Sequence, residues 1–464
     1  MNKGIKINIE IVLIAFCIVL NLLLISNPGF FSHDEFQKID YIYKTGFMQY
    51  VKDLGVFHVG KHFGEPIRPL SFVIQGIQGL FIYDFPIVTH LIDVSLHILC
   101  VILLYRLVLK ISKNKKLSFL SAVFFSVSPL ALFSVGWSAA LMDRLFTLFS
   151  LVVALFSYKY LNNPKNRSLI IIFASVFFGI ASKETMIIVP VVVFAVIFWS
   201  QQESKIFIFN KKNIKLLATV TLPVILYLIY RLPAIISTMN GHGGAYNASI
   251  DNILPNIFIY WTYPFLINFG ETSETIFSNN PVSLTAFFVH LFLLFLIFKI
   301  YGIRSSFYYL ILYFIPLAPI ILLASTASIY LYASATVFSV AIASLSIYSY
   351  KNRMNKPFMF FLVSLMIIAT LIHSFYIQKY LYSYGVCMNK ALISLESEYL
   401  HNNKNNSIVI HSDNEAPKYI IDRIVFGRMH VGKYYPVNLK STGGDSWLND
   451  DAVHLRFSRD CIVY

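Results

Sequence analysis

Two adjacent carboxylates, Asp34 and Glu35, follow an apolar segment of about 20 residues, which is long enough to span a bilayer. His33 precedes them, so an imidazole and two acids would stand where that segment leaves the membrane. Ionisable groups at this depth are costly unless they are paired, hydrated or used. In such a pair, one carboxylate can take a proton from a hydroxyl while the other orients it or raises its pKa. The alternative is a solvated loop pair with no chemical role.

Arg68 is the first cation in the chain that suits a phosphate group. It lies between Pro66 and Pro69, which restrict the backbone and favour two-point binding of an anion. The other interpretation is an interfacial arginine whose side chain reaches lipid headgroups. His62 and Lys61 add positive character nearby, where the simpler interpretation is a solvated loop.

Two neighbouring pairs of opposite charge occur at predicted helix ends, Asp143-Arg144 and Lys183-Glu184. Each pair can form a structural ion pair. Each can instead present its cation to a phosphate while its acid orients that cation. Arg231 ends a further apolar segment and is a third candidate of this kind.

A polar stripe interrupts one apolar segment, where His90, Asp93 and His97 recur at a helical spacing and share one face. A metal site is one interpretation, but a hydrogen-bonded seam between helices is the commoner explanation and is favoured. Later in the chain, Tyr330 and Tyr332 could contact a substrate. The other interpretation is that both tyrosines belong to the aromatic belt at the membrane surface. This interpretation is strong because the chain has 29 Tyr and 42 Phe.

The elements that must position these residues are membrane helices. The 464 residues are 57% hydrophobic and 13% charged, whereas soluble domains carry about 25% charged residues. The net charge of +14 lies in the apolar part, because the stretch from Lys390 onward holds nine basic and nine acidic residues. This favours positive cytoplasmic loops and argues against nucleic-acid binding. Cys17 and Cys100 fall in apolar segments, and a Cys387–Cys461 disulfide has no support in the sequence.

The distribution of basic clusters predicts a cytoplasmic N-terminus, a long external loop over residues 27–86 and about eleven crossings. The first helices after that loop are predicted near 87–111, 117–135 and 145–161. The apolar stretch 253–269 is followed by acids without a basic residue, and we interpret it as a re-entrant or surface-lying hairpin. The acidic pair with His33, the candidate cations with their neighbouring acids, and the two tyrosines then fall at the external face, namely residues 33–35, 68, 143–144, 183–184, 231, 330 and 332.

The predicted architecture is an all-α polytopic membrane domain over residues 1–384 and a small extracytoplasmic α/β domain over residues 385–464. Residues 407–411 are predicted as a strand of the second domain. The sequence has no phosphate-binding glycine loop, nucleotide fingerprint, metalloprotease motif or serine elbow. A transferase that acts outside the cytoplasm without a nucleotide site needs a donor that a lipid already carries.

The order of these motifs resembles the GT-C superfamily of polyprenyl-phosphate-sugar-dependent glycosyltransferases, especially its tetratricopeptide-bearing O-mannosyltransferase-like branch. The elements that carry the resemblance are the acidic pair, Arg68-Pro-Leu, the stripe from His90 to His97, Met142-Asp143-Arg144, Ser182-Lys183-Glu184 and Tyr330-Leu331-Tyr332. The size and helix number also resemble the O-antigen glucosyltransferases that change serotype. There are three departures: Asp34-Glu35 replaces two aspartates, Asp143 precedes Arg144 where the branch has Arg before Asp, and tetratricopeptide repeats are absent.

The resemblance implies inverting transfer of a glucosyl group from a polyprenyl-phosphate carrier to a hydroxyl of an O-antigen or lipopolysaccharide glycan. It places the reaction at the periplasmic face of a bacterial inner membrane. Asp34 would be the base, and Glu35 would assist it. The donor phosphate would be bound by Arg68, Arg144, Lys183 and Arg231, and the substrates would be contacted by His33, His62, His90, Asp143, Glu184, Tyr330 and Tyr332.

The same resemblance implies no required cofactor, and a divalent Mg²⁺ or Mn²⁺ ion stays an open alternative. Other function classes also stay open on the sequence alone. A polysaccharide flippase or transporter would have charges along a path within the helices, whereas most charges here lie at helix ends. An O-antigen polymerase would place its arginines in later external loops. The same enzyme class could also act on protein or lipid A.

Overall fold

The computed structural model describes residues 8–31, 42, 46–56, 68–82, 85–200, 210–239, 249–266, 281–324, 326–401, 408–412, 439–442 and 453–457. The predicted residues His33, Asp34, Glu35 and His62 lie outside the described residues. The described part of the chain is predominantly α-helical, as the composition predicts.

The helices follow one another along the chain and are numbered here in that order. They are α1 (Ile9–Leu20), α2 (Leu22–Ile25), α3 (Phe47–Val56), α4 (Pro69–Phe81), α5 (Pro86–Ser112), α6 (Lys115–Ser126), α7 (Pro129–Gly136), α8 (Leu141–Asn162), α9 (Asn166–Ser182), α10 (Val189–Ser200), α11 (Lys211–Met239), α12 (Ile253–Thr262), α13 (Pro281–Phe314), α14 (Tyr332–Lys351) and α15 (Pro357–His401). Short 3-10 turns at Ser138–Ala140, Glu184–Ile188 and Ser328–Leu331 lead into α8, α10 and α14.

Within the described residues, six helices are long and apolar enough to cross a membrane. The bent pair α6 and α7 adds a seventh if it counts as one span. Helices α5 and α8 occupy the segments predicted near 87–111 and 145–161. Four shorter apolar helices accompany them, so the total of about eleven crossings stays a prediction.

The segment predicted as one helix over 117–135 is two helices that meet at an angle of 50°. The break falls at Ser128-Pro129, and Pro129 begins α7. Proline has no amide hydrogen and its ring clashes with the preceding turn, so it begins a helix readily but does not continue one. Every residue of α7 is buried, which makes this short helix the centre of the bundle.

Helix α13 is broken at Gly302, whose φ of 84° lies in the left-handed region that favours glycine. The break lies between Lys299 and Arg304. The stretch predicted as a re-entrant hairpin contains α12, whose ten residues are too few to span a bilayer. The Asn256 amide ties α12 to the carbonyl oxygens of Ile321 and Leu323, both at 2.8 Å.

Three parallel strands follow α15, namely β1 (Ile408–Ser412), β2 (Leu439–Thr442) and β3 (Val453–Phe457). Strand β1 lies in the middle, with Ile408 opposite both Leu439 and Val453. Strand β1 lies where the sequence predicts a strand, over residues 407–411. The connections between the three strands lie outside the described residues. The predicted α/β domain therefore stays a prediction.

Candidate active site

Arg68 and Glu184 form a two-point ion pair. The Arg68 Nε donates to Oε2 of Glu184 at 2.7 Å, and its Nη2 contacts the other carboxylate oxygen. Arg68 immediately precedes α4, which begins at Pro69, and Glu184 opens the turn between α9 and α10. The Arg68 side chain is 11% exposed and that of Glu184 is 35% exposed. Glu184 is therefore the more accessible member of this ion pair.

Lys183 and Asp143 form a second ion pair beside the first. Lys183 follows the last residue of α9, and Asp143 lies in the first turn of α8. The two helices pack against each other, which brings the end of one to the start of the other. Both side chains are almost completely buried. The Lys183 ammonium also lies 4.6 Å from the ring centre of Tyr330, in the turn before α14.

Direct contacts connect the helix ends that carry these two pairs. Arg68 touches the sulfur of Met142, the residue before Asp143. The Ser71 hydroxyl donates to the carbonyl oxygen of Ser182 at 2.9 Å, which joins α4 to the end of α9. These contacts bring together the segments near residues 68, 143 and 183, and their location at one membrane boundary stays a prediction.

Arg231 is a third cation in the same neighbourhood. Its side chain is buried and lies within hydrogen-bonding reach of the Tyr227 hydroxyl, which also experiences the charges of Glu184 and Arg68. The group thus contains three cations and two carboxylates, Asp143 and Glu184.

Electrostatics keep the first ion pair fully charged. Burial alone would lower the pKa of Arg68, but the charge and hydrogen bond of Glu184, together with the charge of Asp143, raise it above its ordinary value. Burial alone would raise the pKa of Glu184, but Arg68 outweighs burial and holds it below its ordinary range. One oxygen of Asp143, Oδ2, has no hydrogen-bond partner among the described residues.

Arg144 does not fit the predicted role in phosphate binding. Its side chain has no exposed surface, and it is paired with Asp93 at 2.6 Å. The same guanidinium donates to carbonyl oxygens at the end of α7, including those of Ser134 and Trp137. A cation in this position offsets the negative end of the helix dipole and satisfies carbonyls that the helix cannot. We therefore assign Arg144 to the packing of α5, α7 and α8.

The polar stripe on α5 is the hydrogen-bonded seam that the spacing favoured. The His97 Nδ1 lies 2.7 Å from the Tyr332 hydroxyl, and its Nε2 donates to the carbonyl of Ser126. The His90 Nε2 donates to the carbonyl of Gly29 at 2.8 Å. His90 and Tyr332 are both buried, so the substrate contacts predicted for them do not fit this geometry.

Two participants were missed from the sequence. Tyr227 lies one helical turn before Arg231, and this i, i+4 spacing was a signal that could have identified it. Ser138, which donates to Asp93 beside Arg144, belongs to a turn that no local pattern marked. Within the described residues, no three His, Cys, Asp or Glu side chains lie together in a way that could hold a metal ion.

Part of the chain matches a known protein family. Residues 70–230 match the family model of dolichyl-phosphate-mannose-protein mannosyltransferases. A comparison with curated protein sequences finds no match.

Among solved structures, the chain is similar to ArnT from Cupriavidus metallidurans bound to undecaprenyl phosphate. The identity is 9% and the TM-score 0.46, covering 95% of this chain and 86% of that one. It is also similar to an oligosaccharyltransferase from Archaeoglobus fulgidus tethered with an acceptor peptide, with 11% identity and a TM-score of 0.43. That match covers 87% of this chain, which spans 61% of the length of the archaeal enzyme. The residues that match the mannosyltransferase family model, 70–230, include Asp143, Lys183 and Glu184.

Proposed function

We propose that this protein is a multi-pass membrane glycosyltransferase of the GT-C type, which moves a sugar from a polyprenyl-phosphate carrier to an acceptor hydroxyl. The observation that carries the proposal is the pair of buried cations Arg68 and Lys183 at neighbouring helix ends, with a third buried cation, Arg231, on α11 nearby. Cations gathered beside one another in this way match the charge and the several oxygens of a phosphate group. A phosphate attached to a membrane lipid reaches such a position from the bilayer.

The cations match the chemistry of the leaving group. When the bond between the anomeric carbon and the phosphate oxygen breaks, the carrier leaves as a phosphate monoester with added negative charge. Arg68 can bind two of its oxygens at once when the phosphate takes the place of the Glu184 carboxylate, which occupies the same two donors here. Lys183 supplies a compact positive charge at a position set by Asp143. Such fixed charges stabilise the developing anion without requiring a general acid.

The proposal assigns proton removal to the acidic pair, which lies outside the described residues. Asp34 takes the proton of the acceptor hydroxyl with Glu35 beside it, and the hydroxyl oxygen attacks the anomeric carbon from the face opposite the phosphate. The new bond inverts that centre. His33, His62 and Tyr330 would contact the sugar or the acceptor. Tyr330 is suitably placed, because its partly exposed ring covers Lys183.

For the substrates, we propose a glucosyl donor and a hydroxyl of an O-antigen or lipopolysaccharide glycan. The reaction would occur on the periplasmic face of a bacterial inner membrane, with a cytoplasmic N-terminus and a periplasmic C-terminal domain. The same site chemistry would serve an acceptor on protein or lipid A. Comparing the surface glycans of cells with and without the gene separates these acceptors.

The direct test is sugar transfer by purified protein in lipid nanodiscs, supplied with polyprenyl-phosphate glucose and lipopolysaccharide. We expect transfer by the wild type and a loss of about 100-fold or more in Asp34→Asn, the size expected for a general base. Asp53→Asn is the matched control, because Asp53 on α3 accepts a hydrogen bond from Gln49 at an exposed position. If folded Asp34→Asn keeps full activity, the base is misassigned.

A transporter is less well supported by the placement of buried charge. In the described residues, the buried charged side chains fall into two adjoining groups, which comprise Arg68, Asp93, Asp143, Arg144, Lys183 and Arg231. A transport path would instead have charges distributed along the helices. Liposomes that contain the protein and labelled lipid-linked glycan distinguish the two functions, because transport moves the intact substrate between leaflets and transfer changes its mass.

A further inference from the structure

Helix α13 folds back on itself at Gly302. Residues 281–301 form its first half and residues 303–314 its second, with the left-handed φ of Gly302 between them. The Nε2 of His290 in the first half lies 2.5 Å from the hydroxyl of Tyr309 in the second. In one continuous helix these two residues would be roughly 28 Å apart, so the two halves lie side by side.

A cleft of about 530 Å³ lies between the two halves and is almost entirely apolar. Most of its lining side chains are exposed in the structure, as expected of a helix face that meets lipid hydrocarbon. The lining extends over about 10 Å of the second half, a length that suits part of an acyl chain. The apolar residues that define the cleft are Leu291, Phe295, Phe298, Ile303, Phe307 and Leu310.

Ser306 also lines the cleft, and its hydroxyl is an unused donor. The residue is 6% exposed, and the hydroxyl has no hydrogen-bond partner among the described residues. A serine on a helix can donate to the carbonyl four residues earlier, as Ser305 does to Tyr301 at 3.1 Å. For Ser306 that residue is Gly302, whose backbone is not helical, and the bond is not made. The break in α13 thus leaves a buried donor beside the cleft that an oxygen of a ligand would satisfy.

Two cations border the end of the cleft that is next to the break. Arg304 lines the cleft itself, and the Lys299 ammonium lies 5.6 Å from the ring centre of Phe295. Within the part of the chain that the structure describes, neither cation forms an ion pair with a carboxylate, whereas the exposed Arg106 is paired with Glu10. The cleft therefore combines an apolar space with uncompensated positive charge at one end.

We propose that this cleft binds an anionic phospholipid of the surrounding membrane. Its acyl chain lies between the two halves of α13, and its phosphate contacts Arg304, with Lys299 adding positive charge. Ser306 donates to an ester or phosphate oxygen of the same lipid. Basic residues at the end of a membrane helix favour the cytoplasmic side, where basic pockets between helices bind anionic headgroups. The site thus lies on the face opposite the one proposed for sugar transfer, and it is independent of that reaction.

Other occupants match these observations less well. Inorganic phosphate would leave the apolar lining without a partner, and an uncharged lipid would leave the cations without one. A second copy of this chain is disfavoured as well. A two-fold contact centred on the cleft would bring the two Arg304 side chains together, and like charges repel.

The test measures how phosphatidylglycerol binds to the full chain after removal of lipid in detergent, with phosphatidylcholine as the neutral reference. Native mass spectrometry gives the affinities, and the rise in Tm on adding lipid gives a second readout. We expect the wild type to bind phosphatidylglycerol roughly 10-fold more tightly, because two basic residues face its headgroup.

Arg304→Gln should weaken the binding of phosphatidylglycerol by roughly 5- to 10-fold, since a hydrogen bond to a charged group is lost. Arg353→Gln is the matched control. Arg353 is another exposed arginine after a membrane helix, lies 4.6 Å from the ring centre of Tyr350 and does not line the cleft. The control should leave the affinity unchanged while altering the net charge by the same amount.

Ser306→Ala should weaken the same binding by about 2- to 5-fold without lowering the Tm of the lipid-free protein, because it removes a hydroxyl that nothing satisfies. Ser305→Ala is its control, since that hydroxyl already bonds to Tyr301. Leu310→Trp fills the cleft and should weaken the binding of both lipids. Leu284→Trp, at an exposed position on the same helix outside the cleft, should not.

Equal affinity of the wild type for the two lipids, or equal effects of Arg304→Gln and Arg353→Gln, would overturn the proposal. Inorganic phosphate that displaces the lipid as effectively as phosphatidylglycerol does would show an anion site without a lipid and would also overturn it. Light scattering gives the oligomeric state. If Leu310→Trp turns a dimer into a monomer and leaves lipid binding unchanged, the cleft is an interface between copies. None of these measurements needs sugar transfer, so failure of the proposed function would leave this test intact.

Discussion

The Lys183 ammonium and the Asp143 carboxylate form an ion pair in which neither side chain is more than 3% exposed. A pair buried this deeply pays a large desolvation penalty, and its attraction is often only sufficient to offset that penalty. Stability alone therefore does not account for the presence of this pair, whereas a functional role for Lys183 would account for it.

The first prediction separates the two roles of Lys183. Lys183→Met leaves the Asp143 carboxylate buried without its partner, and removing one member of a buried pair costs about 3–5 kcal/mol of unfolding free energy. Lys183→Met combined with Asp143→Leu should recover most of that stability, as measured by denaturation in detergent. Transfer should remain absent in the double variant because the phosphate has lost its cation. A fully active double variant would show that the pair is only structural.

The second prediction concerns the planar fork of Arg68. Arg68→Lys keeps the charge but loses two-point binding, and one lost hydrogen bond to a charged group corresponds to roughly a 10-fold rise in the KM of the lipid-phosphate donor. Arg106→Lys is the matched control, because Arg106 makes the same two-point contact with Glu10 at an exposed site. Similar kinetics for both variants would contradict the assignment of Arg68.

The third prediction is a pH dependence of stability that arises from Glu184. Burial would raise the pKa of this carboxyl, but Arg68 outweighs burial and lowers it from 4.5 to about 2. A group with a lowered pKa in the folded state stabilises the fold above its unfolded pKa, and this contribution is lost as the pH falls toward the folded value. Solvent screens part of the effect, since 35% of the side chain is exposed.

We therefore expect the apparent Tm of the wild type in detergent to fall as the pH decreases below about 4.5. Glu184→Gln should start from a lower Tm and lose less of it over the same interval, because its amide does not titrate. Parallel curves for the two proteins would mean that Glu184 does not contribute to this dependence.

The fourth prediction concerns the cysteines. Cys387 on α15 is disulfide-bonded, whereas Cys17 and Cys100 are free. The sequence contains four cysteines, and Cys461, outside the described residues, is the one that remains. Peptide mapping without reduction should recover a Cys387–Cys461 cross-link, which requires an oxidising compartment and would support an extracytoplasmic C-terminal domain. Quantitative alkylation of Cys387 in unreduced protein would contradict this prediction.

Local patterns predicted the long helices well. Helices α5 and α8 follow from apolar length and from the basic residues that come after them, which are properties of a single segment. The bend at Pro129 was missed even though proline is a local signal, because the apolar run continues on both sides.

The site was predicted only in part. Position relative to the membrane boundary was enough to group Arg68, Asp143, Lys183 and Glu184, because helices of similar length end at the same two surfaces. Position along the chain was not enough to show that Arg144 and its neighbour Asp143 contact different partners. Adjacent residues on a helix are rotated by about 100° from each other, so one meets Lys183 and the other meets Asp93.

The sequence by itself thus determined a bundle of apolar helices, the places where most of them end and the set of charges collected there, because these depend on hydrophobic length and local charge. Only the tertiary structure decided which charge pairs with which, and that His90 holds Gly29 instead of a substrate. Such contacts join residues tens or hundreds of positions apart. They depend on how each helix is rotated and packed, which the spacing within any single segment does not encode.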